Sequence, residues 1–154
     1  MDVTTESVLD ALWREHSAGL WRAVFAYAGD VDVANDAVAE AFAQCLARGE
    51  AVHSPKAWLW TTAFKIAAGA LQRGRGQAEL AEEPTYKMPE HAWELVSALR
   101  ALPERQRAAI VLHYYADRRT RDIAEILGCS AATVRVHLSQ GRKRLRQLLE
   151  DDDA

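Results

Sequence analysis

The sequence predicts an all-α protein: an N-terminal helical bundle joined by a flexible linker to a C-terminal helix-turn-helix domain. Three observations point there. Every regular apolar pattern repeats at three- and four-residue spacing, and none alternates as a half-buried strand would. A stretch rich in Gly, Glu and Pro, with no apolar period, separates two periodic blocks. Beyond it, a Gly-Cys-Ser turn divides a short helix from a long basic one.

Taken in order, Leu9, Leu12, Trp13, His16, Leu20, Trp21, Val24 and Phe25 form one buried helical face. Gly29-Asp30 interrupts it, and Asp32 is placed to cap a second helix. That helix carries the stripe Ala34, Ala37, Val38, Ala41, Phe42, Cys45 and Leu46, closed by Arg48-Gly49. Ser54-Pro55 opens a third, serine as cap and proline in the first turn. It is expected to bury Leu59, Thr62, Ala63, Ile66, Ala67, Ala70 and Leu71. Short connections make an antiparallel bundle of the three.

Residues 1–73 are therefore one domain, 74–90 a linker, 91–150 a second domain and 151–154 an acidic tail. In the second domain Leu95, Val96, Leu99 and Leu102 mark a short helix. Pro103 opens another that carries Ala109, Ile110 and Tyr114 inward. Thr120 can cap the next, with Ile123, Ala124 and Leu127 facing the core.

Then comes the turn. Ala124 is small enough for a close helix crossing, Gly128 permits a positive backbone φ, and Ser130 caps the helix running from Ala131 to about Leu149. Val134 and Leu138 pin that helix inward, with Leu145 and Leu148 extending the same face. The outer side displays Thr133, Arg135, His137, Ser139 and Gln140, then Arg142, Lys143, Arg144 and Arg146. In a helix-turn-helix the start of the second helix reads base edges in the major groove. Arginine and glutamine suit that work through bidentate pairs with guanine and adenine. The later basic cluster suits phosphates.

The overall charge of −3 conceals this site. Between Pro103 and Leu149 ten Lys/Arg face four Asp/Glu, although the protein is acidic as a whole. A basic block in an acidic chain indicates a local polyanion site. Ser130, Thr133, Arg135, His137, Ser139, Gln140, Arg142, Lys143, Arg144 and Arg146 are accordingly the candidate DNA-binding residues of this half.

The string ALPERQRAAIVLHYYADRRTRDIAEILGCSAATVRVHLSQGRKRLRQLL closely resembles region four of extracytoplasmic-function sigma factors of the sigma-70 family. Its marks are Leu102-Pro103, Arg107, DIAEILGCS, ATVRVHL and Gly141-Arg142. The first half is similar to region two of that family. GDVDVANDAVAEAFAQCL looks like the helix that binds the polymerase clamp, and PKAWLWTTAFKIAAGAL like the helix that melts promoter DNA. Ala47 to Lys56 resembles the loop that captures a flipped base. The family usually carries glutamine where Ala39 stands, and often arginine, asparagine and aspartate at Thr61, Lys65 and Gly69.

The resemblance implies an RNA polymerase sigma factor that directs promoter-specific initiation from upstream (minus-thirty-five) and downstream (minus-ten) elements. Its partners would be core RNA polymerase, through clamp and flap, promoter DNA and an anti-sigma factor. It implies core polymerase binding by Asp36 and Glu40, which lie four apart on one helical face, and adds Lys56, Trp60 and Lys65 as DNA contacts. It further implies that Glu79 to Pro84 threads through the polymerase.

The remaining residues have plainer roles. Trp13, Trp21 and Trp93 are expected to pack cores, whereas Trp58 and Trp60 flank Leu59 and cannot both share its direction. His53 in the capture loop is a secondary DNA candidate. The five histidines lack metal-ligand spacing, so no metal or cofactor is expected. Cys45 and Cys129 read as reduced thiols. No arrangement supports catalysis, so the chain is not expected to be an enzyme. With no apolar run near the ~20 residues of a membrane span and no basic, apolar leader, the expected location is the cytoplasm, with no membrane partner. The alternative function is a helix-turn-helix regulator whose N-terminal bundle senses or dimerises.

Overall fold

The computed structural model describes residues 3–74 and 85–152. The chain divides into two compact units, Met1–Tyr86 and Lys87–Ala154. Among the described residues every regular element is helical. The Glu79-to-Pro84 stretch lies outside the described residues.

The first unit is built from α1 (Val3–Ala28), α2 (Val31–Arg48) and α3 (Pro55–Gln72). Leu20, Trp21, Val24 and Phe25 are buried as their spacing requires, against Ala34, Ala37, Val38 and Ala41 of α2. Alanine dominates the α2 face, which lets the helices approach closely. α3 contributes Leu59, Ala63, Phe64, Ala67 and Ala70. Aromatic rings tie the helices together: Trp21 stacks on Phe25 with centroids 5.0 Å apart, and Tyr27 meets Phe64 at 5.4 Å.

Several expectations need correction. The cap of α2 is Asp30, whose side chain accepts from the Val33 amide at 3.0 Å, while Asp32 sits exposed in the first turn. α3 begins at Pro55 as expected, yet Ser54 makes no side-chain cap bond, so proline's fixed φ sets that start. Trp13 is 42% exposed and packs edge-on against Phe42 at 4.8 Å. α1 is eight residues longer than α2, so its early turns outrun their partner. Leu12, His16, Leu46, Thr62, Ile66 and Leu71 are half-buried at the margins of their stripes. Thr85 and Tyr86, assigned by sequence to the linker, lie on this unit: Tyr86 packs on Trp21, and Thr85 bonds to Asn35.

The second unit holds α4 (Ala92–Arg100), α5 (Glu104–Ile110), α6 (Thr120–Leu127) and α7 (Ala131–Asp152). Val96, Leu99, Leu102, Ala109, Ile110, Leu112, Ile123, Val134 and Leu138 form its core. Leu95 is 43% exposed, against expectation. Tyr114 also departs from its expected place. A π-helical segment, Val111–Tyr115, follows α5 and widens the turn, so the residue four beyond Ile110 no longer faces inward. Tyr114 and Tyr115 therefore stand in solvent.

Candidate nucleic-acid interface

The turn between α6 and α7 follows the chemistry of its residues. Gly128 takes φ 68°, ψ 38° and closes α6 with its amide bonded to the Ala124 carbonyl. Ser130 caps α7, its Oγ accepting from the Thr133 amide at 3.1 Å. Thr120 proves to be the first residue of α6, with Arg119 at the cap position and no side-chain bond there. Arg105 of α5 donates to the Leu127 carbonyl at 2.8 Å, tying the end of α6 down. Behind the turn, α7 crosses α5 at Gly141, where an added Cβ would stand 3.0 Å from Ile110 Cγ1.

With Val134, Leu138 and Gly141 turned inward, the opposite side of α7 is open. Thr133, Arg135, Ser139, Gln140, Arg142, Lys143, Arg144 and Arg146 are all exposed there, as is Ser130 at the cap. Two are partly held. Gln140 Oε1 accepts from Gln106 at 3.2 Å, and Arg142 donates to the Tyr114 hydroxyl at 3.0 Å. His137 is half-buried with its Nδ1 turned inward and unpaired, so only part of the ring faces outward. One helix thus offers exposed hydrogen-bonding side chains at its start and cations further along.

In the first unit, α2 and α3 enclose a groove of about 440 Å³ lined by Asp36, Ala39 and Glu40 on one wall and Ile66, Ala70 and Arg73 on the other. Asp36, Ala39 and Glu40 are exposed, and Glu40 accepts from Gln44 at 3.0 Å. Lys56 and Lys65 are exposed on α3. Trp60 is not: it is 8% exposed and stacks toward Phe64 with centroids 6.4 Å apart. Trp58 is the more accessible indole, lying 5.6 Å beneath the Arg48 guanidinium. Leu59 and Trp60 share the buried side of α3, and that leaves Trp58 for the outer one.

Residues 92–145 match the family described as "Sigma-70, region 4". Along almost its whole length the chain is similar to RNA polymerase sigma factor SigV of Bacillus subtilis, at 27% identity over 97% of this chain and 96% of that one. It is also 27% identical to ECF RNA polymerase sigma factor SigL of Mycobacterium tuberculosis, over 94% and 90%. Among solved structures, sigma factor RpoE from Bartonella quintana, crystallised with the anti-sigma factor NepR, covers 96% of this chain and 94% of its own at TM-score 0.71 and 24% identity. CnrH, in complex with the cytosolic domain of CnrY, gives 0.69 at 21% identity over 96% and 90%. Residues 92–145 form a sigma-70 region 4 domain, and along nearly its whole length the chain is similar to extracytoplasmic-function sigma factors.

The turn residues of this region 4 domain were legible because capping and positive φ leave marks in sequence. Others left none. Arg105 and Gln106 belong to α5, and their bonds to α6 and α7 depend on packing distant in sequence. Gly141 carried a signal, a glycine inside a long helical pattern, which marks a close approach. Trp58 and Trp60 were not separable in sequence, because two indoles beside one leucine have no periodicity to decide between them.

Proposed function

We propose that this chain is an extracytoplasmic-function sigma factor, which binds core RNA polymerase through the α2–α3 face and directs it to promoters read by the helix-turn-helix. Asp36 and Glu40 present carboxylates to a basic partner surface on the clamp. The start of α7 enters the major groove of the upstream element, with Thr133, Arg135, Ser139 and Gln140 at base edges. Arg142, Lys143, Arg144 and Arg146 hold phosphates. Lys56 and Lys65 meet the melted downstream strand, and the half-buried Trp58 takes the aromatic position in place of Trp60. The polymerase flap engages region four.

An anti-sigma factor completes the partner set, as one does for the RpoE described above. In this reading the protein is a non-catalytic initiation subunit working in the cytoplasm; among the described residues no helix is long and apolar enough to cross a membrane. The observation that carries the reading is the capped turn Gly128–Ser130, which leaves a basic helix face uncovered beside a buried Val134–Leu138 stripe.

The test separates the two surfaces. Glu40→Arg paired with Asp36→Arg is expected to weaken binding to core polymerase about tenfold or more, since like charges across an interface are costly. Neutralising Arg142 and Arg144 is expected to leave core binding intact and to flatten the salt dependence of promoter binding, the slope falling by roughly 0.9 for each phosphate no longer neutralised. Unchanged core binding in the first variant would overturn the clamp assignment.

A further inference from the structure

We propose that Val136 is a specificity-determining residue that packs against the 5-methyl group of a thymine in the upstream promoter element. The inference rests on the reading of α7 as the DNA-contacting helix and deepens it. α7 buries Val134, Leu138 and Gly141, and at 100° per residue the direction opposite that stripe is occupied by Ala132, Val136 and Lys143. Val136 is 51% exposed at the middle of this outward face, and Ala132, one turn earlier, is exposed too. Around them stand Thr133, Arg135, Ser139 and Gln140, all exposed and polar.

Valine is a poor choice here on both local counts. Its branched side chain is stiff in a helix, and its methyl groups lie in water. The thymine methyl is the apolar group that base edges present in the major groove. A small neighbour at Ala132 leaves room for the helix to sit close to the base pair. The occupant is a nucleic acid rather than a protein by charge complementarity, since Arg135, Arg142, Lys143, Arg144 and Arg146 lie along the same exposed helix.

The experiment uses the full chain assembled with bacterial core RNA polymerase. Upstream elements are selected from a randomised duplex library, and each thymine of the winning element is then replaced singly by uracil, which lacks only the methyl. At one position uracil is expected to weaken binding about fourfold, the worth of one buried methyl. Val136→Ala is expected to weaken binding about as much on the thymine duplex and no further on the uracil duplex. Val136→Thr, nearly the same shape, is expected to show a smaller loss of affinity, and thermal melting is expected to show all three proteins equally folded. A uracil penalty that persists undiminished in Val136→Ala would overturn the proposal, as would the absence of any uracil-sensitive position. Failure to enrich any upstream element would instead overturn the DNA reading of α7 itself.

Discussion

Asn35 accepts two hydrogen bonds on one oxygen: Trp21 Nε1 donates at 2.7 Å and Thr85 Oγ at 2.9 Å. Trp21 is 1% exposed, so its indole N–H has no recourse to water. Asn35→Leu is expected to destabilise the fold by about 1–3 kcal/mol, the cost of a buried donor left unpaired. Asn35→Asp, which keeps the acceptor, is expected to cost less, and urea unfolding followed by tryptophan fluorescence measures both. The two cysteines differ for a similar reason. Burial raises the Cys45 thiol above its usual range and keeps it neutral, whereas Cys129 is partly exposed beside the turn. A maleimide at neutral pH is expected to label Cys129 first and Cys45 only on unfolding. Equal rates on the folded protein would contradict the burial of Cys45.

At the scale of the element, the α6–α7 turn concentrates the local chemistry. Gly128→Ala forces a side chain into left-handed backbone and is expected to cost about 1–2 kcal/mol. Ser130→Ala removes the cap of α7 and is expected to cost about 1 kcal/mol. Gly141 is governed by two opposing effects. Alanine would gain about 1 kcal/mol of helix propensity but press on Ile110, so Gly141→Ala is expected to come out near neutral. Gly141→Val has no such gain and is expected to lose about 1–3 kcal/mol by overpacking. Differential scanning calorimetry of the four variants orders these effects. A Gly141→Val protein as stable as the parent would show that α5 and α7 do not cross there.

Over the whole molecule, the two proposed binding surfaces ride on separate compact units of one chain. Joining them turns the second binding step into an intramolecular event, which gives avidity without any new interaction. Much of this was legible in the sequence because burial periodicity and capping are local. The α2 stripe, the start of α3 at Pro55 and the Gly128–Ser130 turn all follow from residues a few positions apart. What escaped was non-local or depended on an irregular turn. Trp13 needed the relative lengths of α1 and α2, Tyr114 the π-helical segment, and Tyr86 a contact with Trp21 across more than sixty residues. At the site, the outer face of α7 was readable from its period. The choice between Trp58 and Trp60 was decided by packing against Phe64.

The central claim is that this chain confers promoter selectivity on RNA polymerase. Run-off transcription with bacterial core polymerase on a promoter library, with and without the protein, tests it most directly. Discrete transcripts that require the protein and fade when Arg135 is replaced by alanine are the predicted result. A protein that yields no transcripts with core polymerase, yet binds duplex DNA alone as a dimer, would contradict the account and make it a helix-turn-helix regulator.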